Sequence, residues 1–145
     1  MRVDDDRVAA WAALLRVHAA VVPKLERVVS GQGLPLAWYD VLLVLNAAPE
    51  RRLRMTELGA QSTLSRERIS RVVSELERAG LVRREPNPDD GRSSFAVITN
   101  DGRARLRKAA PAYLAGIEQH FTDHLSDHEV RVLTSALGRV LAAEE

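Results

Sequence analysis

The 145-residue sequence predicts a mainly helical α+β fold in which one β-hairpin interrupts a series of helices, and three observations carry that expectation. Apolar residues recur at three- and four-residue steps over most of the chain. Between residues 81 and 99 the period shortens to that of strands, on either side of the turn-forming run PNPDDGRS. Ser and Thr stand where helices should begin, and Gly80 stands where one should end.

In chain order, residues 5–30 form the first helix, with Val8, Trp11, Leu15, His18, Val22, Leu25 and Val29 on one stripe and Pro23 expected to kink or divide it. SGQGLP (30–35) breaks the pattern. A second helix, roughly 36–47, carries Trp38, Val41, Leu42 and Leu45 and ends in NAAPERR. A short helix follows at about 55–61, with Thr56 as its expected cap. Ser65 then caps a helix reaching residue 79, with Arg68 where a capping box usually has Glu or Gln, and with Ile69, Val72, Val73 and Leu76 as its apolar stripe. LVRRE (81–85) and the run at 93–99 make the hairpin. Thr99 caps the next helix, whose face is Leu106, Ala110, Tyr113, Ile117 and Phe121 and which Pro111 is expected to bend. Ser126 and Glu129 form a capping box for the last helix, with Val130, Leu133, Leu137 and Val140 spaced by three and four. A short helix, a capped helix and a hairpin in succession are the winged helix-turn-helix arrangement.

Composition narrows the function. Hydrophobic residues are 46% and charged residues 28% of the chain, so a folded domain rather than a disordered one is expected. With no cysteine, disulfides, thiolate metal sites, Cys nucleophiles and thiol redox chemistry are excluded together. No apolar run approaches the roughly 18 residues of a membrane span, and the acidic start MRVDDDRVAAW has no secretion-signal pattern. A cytoplasmic protein without membrane association is the expectation. No G-x-G-x-x-G, P-loop or H-E-x-x-H motif and no Ser/His/Asp spacing of note is present, so no enzyme and no cofactor are expected.

The net charge of +1 conceals a division. Residues 51–108 hold 14 Lys+Arg against 8 Asp+Glu, whereas the flanks together hold 7 against 12. A basic middle between acidic ends suits a chain whose middle meets a polyanion. In a helix-turn-helix the second helix must pack by one face and offer donors by the other. The helix at 66–79 does so, with Arg66, Glu67, Arg68, Ser70, Arg71 and Ser74 off its apolar stripe. Arg can take a guanine edge or clamp a phosphate, and Ser65 and Ser70 can bond phosphate near a helix start. Arg83, Arg84 and Arg92 lie on or beside the hairpin, whose basic tip can enter a minor groove. Asp90 is read as an acid that holds Arg92 in place. The competing reading is a winged-helix module that binds an acidic protein, which an apolar exposed recognition face would favour. Arg on both helix and wing favours double-stranded DNA.

The run STLSRERISRVVSELERAGLVRREPNPDDGRSSFAVITNDGRARL resembles the core of the MarR family of transcription regulators. The features that match are the capped recognition helix, the Gly80-Leu81-Val82 step, the Asp90-x-Arg92 wing tip and the Thr99-x-x-Gly102 start of the next helix. Specific motifs are confined to residues 53–106, while the order of elements extends the likeness to the whole chain. The resemblance implies that Arg92 reaches the minor groove, that Asp90 orients it, and that Ser70 and Arg71 meet the major groove. It also implies a homodimer built from residues 1–35 and 101–145 around a DNA-binding lobe at 36–100, and a repressor acting on a pseudo-palindromic site. Two departures stand out. Ser62-Thr63 replaces the family's frequent Leu-Gly in the turn before the recognition helix, so a less tightly packed turn is expected. Gly91-Arg92 replaces two successive basic residues in the wing, implying a lighter grip.

The family's small aromatic effectors point to Trp11, His18, Trp38 and Tyr113 as ligand candidates, although core packing accounts for each as well. Some relatives sense zinc, and His120 and His124 have an i, i+4 spacing that can hold it. Lacking cysteine, and with His128 beyond the break at Ser126, these histidines read as the polar fringe of a dimer core.

Overall fold

The computed structural model describes residues 5–145, which fall into two compact units. One unit, Glu26–Ala112, contains α2 (Leu36–Ala47), β1 (Arg52–Arg54), α3 (Met55–Gln61), α4 (Arg66–Arg78), β2 (Val82–Pro86) and β3 (Ser94–Ile98). The other comprises residues 5–25 and Tyr113–Glu145, with α6 (Asp127–Ala143) after a 3-10 turn at Thr122–His124. The long helices α1 (Asp5–Ser30) and α5 (Asn100–His120) each contribute to both. Neither Pro23 nor Pro111 divides its helix: each forfeits one backbone bond while the flanking turns persist.

The core belongs to the Glu26–Ala112 unit. α2 buries Tyr39, Val41, Leu42 and Leu45, and α4 answers with Ile69, Val72, Val73 and Leu76. At roughly 1.5–3 kcal/mol for each large apolar side chain removed from water, this stripe is the main force holding α4 to the body. β1 was not expected from the sequence, since RLR is too short to show a strand period. It makes the hairpin a three-stranded antiparallel sheet of order β1-β3-β2, with Leu53 opposite Ala96 and Arg84 opposite Ala96 on the other side. The Arg52 guanidinium lies 4.3 Å from the Phe95 ring centre and 3.6 Å from Glu85, fastening all three strands.

Local chemistry explains the boundaries. Ser65 Oγ accepts the Arg68 N–H at 3.4 Å, and Gly80, at φ +77°, closes α4 as the Leu81 N–H bonds back to Leu76 O. Thr99 Oγ1 caps α5 by accepting the Gly102 N–H at 3.0 Å while donating to Gly80 O at 2.7 Å. A Cβ on Gly102 would strike the Leu81 carbonyl oxygen, so only glycine lets α5 start this close to the end of α4. Ser126 and Glu129 form the expected reciprocal box, at 2.9 and 3.1 Å. Thr56 is not a cap. Arg54 precedes α3, and its N–H donates to the Glu57 carboxylate at 3.1 Å.

The second unit is different in kind. Of the twelve large exposed hydrophobic residues among those described, eleven lie in it, including Trp11 (61% exposed), Leu15, Leu114, Val140 and Leu141. His18, expected on a buried stripe, is exposed: the stripe of α1 is bare at Val8, Trp11, Leu15 and His18 and becomes buried only at Leu25 and Val29. α1 is also long and apolar enough, by length and composition alone, to cross a membrane, which corrects the sequence expectation. Its Ala and Val residues raise the average although Arg16 interrupts the run.

Candidate nucleic-acid interface

The outer face of α4 carries exposed Arg66, Glu67, Arg68, Ser70 and Arg71 above the buried stripe. Their placement follows from the 3.6-residue period, which sends the apolar residues inward and these outward. Two clefts flank the helix. On one side, Arg66 and Ser70 from α4 meet Arg84 and Arg92 from the wing around a space of about 360 Å³. On the other, Arg68 and Arg71 share a groove of about 390 Å³ with Trp38 and Glu75. The structure thus brings the basic residues of helix and wing to one region.

Not every candidate is free to reach a ligand. Arg84 donates from Nη2 to Ser74 Oγ at 2.9 Å, and its Nε lies 3.8 Å from Glu77 Oε1. Arg83 instead pairs with Glu85 at 2.9 Å. Ser65 Oγ is engaged as the cap of α4. Arg66, Arg68, Ser70, Arg71 and Arg92 remain the outward-facing set.

The wing tip is organised by a residue that the sequence reading passed over. Asn87, the one buried polar side chain among the described residues, donates to Ser93 Oγ at 2.9 Å and accepts the Asp89 N–H at 3.0 Å. Its place in an Asn-Pro turn was the available signal. Asp90 Oδ1 accepts the backbone N–H of Arg92 at 3.0 Å. The acid therefore fixes the backbone that carries Arg92 and is not bonded to its guanidinium, as a pairing of the two side chains would require.

The turn before α4 is held from outside. Asp40 Oδ2 accepts from Ser62 Oγ at 3.0 Å, from Thr63 Oγ1 at 3.1 Å and from Thr63 N at 3.4 Å. A polar clasp stands where the family's frequent Leu-Gly would sit.

The ligand candidates are divided between the two units. Trp11, His18 and Tyr113 belong to the unit of residues 5–25 and 113–145, whereas half-buried Trp38 belongs to the other and donates from Nε1 to Glu75 at 2.8 Å. His120 and His124 line a largely apolar groove of about 550 Å³ with Arg16, Val17 and Phe121. His124 Nε2 lies 3.2 Å from Gln119 O, and no group of three His, Asp or Glu placed to hold a metal occurs among the described residues.

A guanidinium-rich helix face beside a basic β-wing, on a body packed by the helix's other face, defines a winged helix-turn-helix DNA-binding protein. Comparison with known proteins agrees. A family model described as the MarR family matches residues 32–93. The HTH-type transcriptional repressor Mb2911 of Mycobacterium bovis is 32% identical over 109 residues, 75% of this chain and 76% of that protein. Among solved structures, AbsC of Streptomyces coelicolor, a MarR family transcriptional regulator, superposes with TM-score 0.87 at 31% identity, covering 99% of this chain and 97% of that one. Sco3205 of the same organism, a MarR family regulator solved in complex with DNA, does so with TM-score 0.89 at 30% identity, covering 99% and 94%. The chain belongs to the MarR family and is a DNA-binding transcriptional regulator.

Proposed function

We propose that this regulator acts in the cytoplasm as a homodimeric repressor on a pseudo-palindromic duplex, and that a small aromatic ligand modulates its affinity. The observation that carries the dimer is the placement of eleven of the twelve large exposed hydrophobics among the described residues in the unit formed by α6 and the outer parts of α1 and α5. Apolar surface of this extent on a DNA-binding protein calls for a partner, and a second copy is the partner always present. Two copies present two recognition helices, hence half-sites about one helical turn apart. Repression is supported by the name of the Mycobacterium bovis relative.

In this reading Arg66, Arg68, Ser70 and Arg71 face the major groove, and Arg92 enters the minor groove on a loop set by Asp90, while Ser65 serves as the cap of α4 and Ser74 as the partner of Arg84. Arg84 joins the wing to the helix. Selection of duplexes from a random pool tests the reading: paired, inverted half-sites are expected, and recovery of asymmetric sites only would refute it. Sedimentation at micromolar concentration should give a dimer, and removal of residues 126–145 should abolish it. A full-length chain that sediments as a stable monomer would overturn the assembly. Trp11 and Trp38 are the only tryptophans, so titration with aromatic acids should quench their emission if either ring meets the ligand.

A further inference from the structure

A helix that reads bases must be held at a fixed tilt, because a bidentate contact tolerates little displacement. In this chain the segment feeding the recognition helix, Ser62-Thr63-Leu64, supplies no apolar plug of its own beyond half-buried Leu64. Its polar groups are gathered by a single carboxylate from another helix: Asp40 Oδ2 takes both hydroxyls and one backbone N–H, and Ser62 Oγ in turn accepts the Leu64 N–H at 3.1 Å. Two residues earlier on α2, the Trp38 indole N–H donates to Glu75, in the third turn of α4, at 2.8 Å. α2 thus holds the turn that leads into α4 through directed polar bonds from Asp40, and α4 itself through the Trp38 bond well along its length. α2 is itself immobilised by Tyr39, Val41, Leu42 and Leu45, each no more than 2% exposed. One anchor on the lead-in turn and one on the helix, both from one rigid support, fix its direction as apolar packing alone does not, since the hydrophobic effect is non-directional.

We infer that Asp40 and Trp38 are positioning residues for DNA reading, acting through the Ser62–Thr63 turn and Glu75 to set the tilt of the recognition helix. The charge of Asp40 makes the inference sharp. A carboxylate near a DNA-facing turn repels phosphate, so on electrostatics alone its removal should tighten binding to every duplex. A positioning role demands the opposite on the selected duplex only.

The test uses the full-length protein, the duplex recovered by selection and a random duplex of equal length. Asp40→Ala should weaken binding to the selected duplex about tenfold, the scale of one misplaced base contact, and change random binding less than about twofold. Asp40→Asn, which keeps an acceptor oxygen without the charge, should recover most of the loss. The double substitution Ser62→Ala, Thr63→Ala removes the donors instead, and should reproduce the loss without adding to that of Asp40→Ala when all three are combined. Trp38→Phe should lower the selected-to-random ratio in the same direction. Equal losses on both duplexes, an unchanged ratio, or tighter binding by Asp40→Ala would overturn the inference. Should Asp40→Ala fail to fold, the Ser62/Thr63 variant decides: a parent-like ratio in that protein refutes the role. Binding of the parent to its selected duplex, measured alongside, keeps this result separate from the operator reading itself.

Discussion

The Arg84 guanidinium donates to Ser74 Oγ at 2.9 Å, joining strand β2 of the wing to the recognition helix. Both residues look like DNA contacts in the sequence, and the structure spends them on each other. Glu77 completes the junction, accepting the Arg84 N–H at 3.3 Å. Arg84→Ala should destabilise the fold by no more than about 1 kcal/mol, because the group is one-third exposed and water screens the pair. Urea denaturation measures it. A loss above about 3 kcal/mol would show a buried network in place of a surface strut.

Arg71 and Arg92 should separate two kinds of contact. Arg71 lies outward on the second turn of α4, so Arg71→Ala should cost about 1–3 kcal/mol on the selected duplex and less on random DNA if it reads a base. Arg92 stands at the wing tip, which in the proposed complex meets the degenerate pattern of a minor groove. Its removal should weaken both duplexes evenly and flatten the salt dependence. Equal behaviour of the two variants would end this division of labour.

Asp90→Ala should weaken DNA binding although it removes a negative charge. The carboxylate fixes the Arg92 backbone through its N–H, and without it the loop must be ordered on docking at an entropic cost. Titration of duplex into the variant at two salt concentrations checks the direction. Tighter binding would mean that the carboxylate merely repels phosphate.

Glu129 offers a pH test outside the DNA-binding region. Bonds from the backbone and side chain of Ser126 hold its carboxyl below the ordinary glutamate range. A folded-state pKa below the unfolded one contributes stability at neutral pH that is lost as pH falls through the lowered value. The first turn of α6 should therefore fray in acid, seen as faster exchange of the Glu129 amide. Glu129→Gln should remove that pH dependence; an unchanged profile would place the transition elsewhere.

What could be read from the sequence was local. Ser65, Gly80, Thr99 and Ser126 end or begin helices through bonds to residues a few positions away, and each is where the pattern put it. The apolar stripe of α4 was equally legible, since a period is a property of one segment. The role of Asp40 was invisible because its partners lie 22 and 23 residues on, and the bond from Trp38 to Glu75 because the two are 37 apart. β1 exists only through β3, which follows it by some forty residues. In the site, outward Arg could be named from spacing, but which of them are already engaged depends on neighbours that only the fold supplies.

The unequal share of burial between the two units has a thermodynamic consequence. The half with α4 and the wing carries its own interior, whereas the helices at residues 5–25 and 113–145 leave most of their large apolar side chains bare. If the second copy is what covers them, folding and assembly become one equilibrium for that half. Its melting temperature should then rise with protein concentration, as mass action requires. Dilution would act on this regulator as a denaturant acts on others.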